Sequence, residues 1–121
     1  RLVTEEDVLD AVEKAENSWA AAFAAREKAK ELSEQAEEAS CEAARDSEEV
    51  ASAPKSMTAQ GGISRVADVL QSTLDAGDLV AEAKRASDEA DRLEAMADKV
   101  LAESEEKLNQ HLKDFPDSPL H

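Results

Sequence analysis

"SAPKSMTAQGGIS" (residues 52–64) is the sharpest interruption in a chain otherwise made of helix formers. It holds Pro54, Gly61 and Gly62 among small polar residues, and proline and glycine are the strongest local punctuation a sequence carries. Residues 4–51 before it contain neither Gly nor Pro, and residues 64–114 after it contain only Gly77. The stretch therefore reads as a turn over 52–63 that joins a first long helix, 4–51, to a second, 64–114, with Ser64 as the N-cap of the second. Residues 1–3 are left as an N-terminal extension and 115–121 as a C-terminal tail. In the tail, "DFPDSPLH" (114–121), Pro116 and Pro119 stop the helix. Gly77 is the weak point of the second arm, at about 1 kcal/mol relative to Ala, and marks the place where a kink or break would fall.

The start of the first helix carries its own signal. Thr4, followed three residues later by Asp7, forms an acidic version of the capping box, and Glu5, Glu6 and Asp7 place negative charge where the helix dipole favours it.

Within each arm the small apolar residues recur every seven positions. In the first, Val8, Ala15, Ala22, Ala29, Ala36, Ala43 and Val50 form one seam position, with Ala11, Ala25, Leu32 and Ala39 at a second. In the second, Val69, Ala76, Ala83, Ala90 and Ala97 keep the same interval, complemented by Leu79, Ala86, Leu93 and Val100. Two heptad seams of matching length on either side of one turn predict an all-α fold, a long two-helix antiparallel coiled-coil hairpin. Alanines along the seam let two helices approach toward the short end of the usual ~8–10 Å range, at the cost of little buried area per residue. Past Val100, Leu101, Leu108, Leu112 and Phe115 depart from the strict heptad, and an eleven-residue spacing predicts local unwinding there.

Large side chains are rare. The 121 residues include 24 alanines but one tryptophan and two phenylalanines. Val12, Trp19 and Phe23 fall on one face of the first helix. A turn centred near residue 57 sets Val8 and Val12 against residues 101–108 and Trp19 near 95–100. Bulk thus gathers at the end that holds both termini. Two readings stand for Val12, Trp19, Phe23, Leu101, Leu108, Leu112 and Phe115: they cap the hairpin's own core, or they form a docking face for another protein. Two helices cannot surround an indole, so a further surface is expected to cover it.

Charge narrows the class of partner. The chain has 14 Lys and Arg against 29 Asp and Glu, a formal net charge of −15. Nucleic acid binding depends on neutralising phosphates with basic residues and is excluded as an expectation. No apolar run approaches the ~20 residues a membrane-spanning helix needs. Protein partners with a basic or apolar docking surface fit better, and a homo-oligomer or a peripheral seat on a membrane complex stays open.

No catalytic, cofactor-binding or metal-ligating constellation emerges. His111 and His121 lack ligands at helical spacing, and residue 108 is Leu, so the Glu-x-x-His element of di-iron bundles is missing. Gly61-Gly62 lacks the Lys-Ser/Thr of a phosphate loop. Cys41 is the only cysteine and sits in an acidic frame that disfavours a thiolate. The expectation is a non-catalytic structural or interaction protein: an acidic helical hairpin acting as scaffold, spacer or docking subunit. The alternative is a processed soluble accessory subunit resting on a photosynthetic or respiratory membrane complex. The first residue, Arg1, fits either a processed chain, organellar or secreted, or a fragment.

Overall fold

The computed structural model describes residues 1–52 and 64–121 in full and the backbone of residues 55–63. Two helices account for nearly all of it: α1, Glu5–Ala51, and α2, Lys55–Asp114. They run antiparallel as a two-helix hairpin, and no strand occurs among the described residues. The chain divides into two compact units, one of Arg1–Glu27 with Asp88–His121 and the other of Lys28–Ser87.

α1 begins where its cap chemistry dictates. The Asp7 N–H donates to Thr4 Oγ1 at 3.2 Å, and the Thr4 N–H donates to Asp7 Oδ2 at 3.0 Å, so two backbone donors that the helix start leaves open are satisfied reciprocally. The bond from the Thr4 N–H is the main reason the Asp7 carboxyl is held below its ordinary value, with Arg1 contributing. At the other end, the Ser52 N–H donates to the Glu48 carbonyl at 3.0 Å, and the Ser52 hydroxyl donates to the carbonyls of Glu48 (3.0 Å) and Glu49 (3.2 Å), which covers acceptors at the helix end.

The break between the helices is shorter than residues 52–63. α2 starts at Lys55, and Gly61, Gly62 and Ser64 lie inside it, so Ser64 is not its N-cap. Glycine in a helix costs about 1 kcal/mol per residue and does not forbid helical backbone, a sum that a long cooperative helix absorbs. The expected turn residues Ala53 and Pro54 lie outside the described residues. α2 also runs unbroken through Gly77. A Cβ built there meets nothing within 4 Å, and no described glycine has a positive φ. Gly77→Ala is therefore expected to stabilise the chain by roughly 0.4–1 kcal/mol, read as a rise in the urea midpoint of helix unfolding.

Burial follows the seven-residue seam in each unit. In the unit that holds the termini, Val8, Ala11, Ala15 and Ala22 of α1 and Ala90, Ala97 and Val100 of α2 are buried. In the other, Ala29, Ala36 and Ala43 are buried with Ala76 and Ala83, while Val50, Val69, Leu79 and Ala86 are half-buried. Glu49 and Arg65 join the helices near the turn end of that unit, at 3.5 Å.

The heptad does not unwind past Val100. Ser104 and His111 continue the positions of Ala90 and Ala97 at the same interval, and both are buried. Two polar residues occupy the seam where apolar ones were sought, and the Leu101, Leu108 and Leu112 series flanks that seam instead of replacing it. Ser104 tolerates burial because its hydroxyl donates to the Leu101 carbonyl at 2.7 Å. His111 is dealt with below.

Candidate docking face

Arg26 fixes the geometry of the terminal unit. Its guanidinium donates through Nε to Glu94 Oε2 at 3.2 Å and through Nη2 to Glu94 Oε1 at 2.6 Å, the two-point geometry that suits a planar carboxylate, and it also reaches Asp91. Its hydrogen bonds to Glu94, then to Asp91, raise the affinity of the guanidinium for its proton, and the same bond lowers the Glu94 carboxyl below its ordinary value.

This ion pair sets the register of one side of the seam. Arg26 belongs to the heptad series Val12, Trp19, Arg26, and Glu94 to the series Glu94, Leu101, Leu108, Phe115. Stepping back by sevens on α1 and forward by sevens on α2, Trp19 comes level with Leu101 and Val12 with Leu108. One step further, Glu5 comes level with Phe115, and these two line one cleft beside the termini. Trp19 thus sits just past the 95–100 range expected opposite it, because the seam and the ion pair, not the midpoint of the turn, determine the register.

The result is an apolar row along one side of the unit. Trp19 is 39% exposed, with Val12 and Leu101 each at 38%. Leu108, Leu112 and Phe115 are half-buried. Phe23, one turn beyond Trp19 on the solvent side, is 68% exposed. The opposite side of the same unit is a different surface. There Asp10, Lys14, Asn17, Ser18 and Ala21 of α1 line a second groove with Leu93 and Met96 of α2.

Phe115 does not lie in the row as a free cover. It packs against the His111 ring, with centroids 5.0 Å apart, and its N–H donates to the His111 carbonyl at 2.8 Å. His111 itself is 1% exposed. Its Nδ1 lies 2.7 Å from the Val3 carbonyl oxygen, which can only accept, so Nδ1 carries hydrogen. Its Nε2 lies 2.7 Å from Ser118 Oγ, and that oxygen also accepts the Leu120 N–H at 3.2 Å. One imidazole therefore ties the N-terminal segment, the end of α2 and the tail together. The tail does not leave the body after Pro116; it turns back to this ring.

Sequence reasoning missed three features. The buried roles of Ser104 and His111 were readable only by counting sevens without regard to polarity. Leu9 and Met96 are also exposed apolar residues of the terminal unit. In the other unit Val66, Leu70 and Leu74 are exposed at four-residue spacing, a separate apolar row on α2. Cys41 is exposed with a free thiol.

Among the described residues, no group of three or more His, Cys, Asp or Glu is placed to hold a metal ion, and no helix is long and apolar enough to cross a membrane. No protein-family model matches the chain, and neither a curated protein nor a solved structure matches it.

Proposed function

We propose that this chain is a non-catalytic interaction protein, an acidic helical hairpin that serves as a docking subunit or scaffold within a larger protein assembly. One observation carries the reading. Two of the three aromatic residues, Trp19 and Phe23, lie on one solvent-facing side of the terminal unit, exposed at 39% and 68%. Large aromatics at the margin of a thin alanine seam bury little when left to the hairpin alone. They are among the residues most enriched at the centres of protein interfaces.

The test is site-specific photo-cross-linking. A photoreactive phenylalanine analogue at Phe23, introduced in the cell that makes the protein, is expected to give a discrete cross-linked product heavier than the chain. The same group at Ala21, in the groove on the opposite side of the unit, is expected to give much less. Equal, diffuse cross-linking from both positions, or none from Phe23, overturns the docking reading.

A further inference from the structure

The occupant of the Trp19 face can be narrowed by its rim. We infer that the row of Val12 and Trp19 on α1 with Leu101 and Leu108 on α2 receives a basic amphipathic helix, which lies along the groove as a third strand of a local three-helix coil. This deepens the docking reading and rests on it.

Three observations lead to that occupant. First, the apolar residues of the face repeat by sevens on both helices, so a third helix with the same apolar repeat stays in contact along the whole row. From Leu9 to Phe23 the stretch spans fifteen residues, a rise of about 21 Å at 1.5 Å per residue, which matches a partner of some four helical turns. A helix laid in a groove uses its own apolar stripe in this way.

Second, the solvent-side border is acidic on both helices. Glu16 lies between Leu9 and Phe23 in their heptad series, and Asp98 and Glu105 precede Leu112 in theirs; all three acids are exposed. The border series of this unit contain no lysine or arginine, and the inner row's one basic residue, Arg26, is engaged by Glu94 and Asp91. Lys14 and Lys107 sit on the other side, the first in the groove with Met96 and the second facing Asp7. A helix bearing Lys or Arg on either flank of its apolar stripe meets opposite charge on both edges, and an acidic or neutral helix does not.

Third, the charge argues against the simplest other occupant. A second copy would bring another acidic rim against this one, in a chain of net charge −15.

Trp19 is the only tryptophan, so its emission reports on this face without labelling. The full chain would be titrated with three synthetic 21-residue peptides. The first has leucines at heptad spacing and Lys or Arg elsewhere; the second has the same leucines with Glu in place of the basic residues; the third is the first with its stripe scrambled. The first is expected to shift Trp19 emission to shorter wavelength and to saturate. Phe23→Ala, at an exposed position where helicity by circular dichroism should be unchanged, is expected to weaken that binding about tenfold or more. Glu16→Lys with Asp98→Lys is expected to do the same, as is raising salt from 0.05 to 0.5 M.

The inference is overturned if the first peptide leaves Trp19 emission unchanged, or if the acidic or scrambled peptide binds within threefold of it. It is also overturned if the chain alone shows the emission shift together with a doubled mass in sedimentation, because a second copy then covers the row. A discrete cross-link from position 23 alongside a failed titration leaves the docking reading standing and removes only the basic helix.

Discussion

Ala22→Leu is expected to destabilise the hairpin by about 1–3 kcal/mol, although leucine at a seam position strengthens an ordinary coiled coil. Ala22 and Ala97 are each fully shielded, at 0% exposure. A methyl group on a two-helix hairpin reaches that state only when the facing backbone lies close against it. Leucine adds three carbons at a point with no volume to take them, so the helices must part. The neighbouring alanines, Ala15 and Ala29 on one helix and Ala90 on the other, cannot bridge a wider gap with side chains of one carbon. The damage is then spread along the seam. Ala20→Leu, at an exposed position on the same turn, serves as control and should stay within about 0.5 kcal/mol of the parent. Urea unfolding followed by circular dichroism measures both. A higher midpoint for Ala22→Leu would mean that the helices are not closely apposed.

His111→Ala is the second large effect. The ring fills the last seam position of α2, stacks on Phe115 and bonds to both the Val3 carbonyl and Ser118. Removing it takes one partner from each of two part-buried groups, a loss of about 1–3 kcal/mol before the vacated volume is counted. The local consequence is more diagnostic than the global one. Backbone amides of the tail, Leu120 above all, should exchange with solvent much faster, and residues 1–4 should become accessible to protease. Ser118→Ala removes the bond at Nε2 together with the acceptor of the Leu120 N–H, and should loosen the tail while leaving the N-terminal segment held. If His111→Ala leaves tail exchange at the parental rate, the ring is filler and not a tie.

The two variants probe parts of the fold that differed in how legible they were. The seam of α1 could be read directly, because Val8 and six later positions kept one interval with small apolar residues and nothing else competed for the pattern. The Thr4–Asp7 cap was equally plain, since both partners lie within one turn of each other. The end of α2 was obscured because Ser104 and His111 hold the seam through hydrogen bonds, and a search for apolar periodicity passes over them. The turn was overestimated for a related reason: Gly61 and Gly62 are poor helix formers, but propensity is a weak prior against the cooperativity of a sixty-residue helix. For the proposed docking face, the sequence offered candidate members, from Val12 to Phe115. It did not supply their side of the seam or their pairing. Those depend on one long-range contact, Arg26 with Glu94, sixty-eight positions apart.

The knot of bonds around His111 has a consequence for engineering. Because the imidazole touches both the third residue and the hundred-and-eighteenth, the polypeptide enters and leaves at one place. A segment with such adjacent ends can be spliced into an exposed loop of a host protein with only short connectors, since the loop need not stretch to accommodate it. The Trp19 row would then lie in the unit next to the point of insertion, close to the host surface.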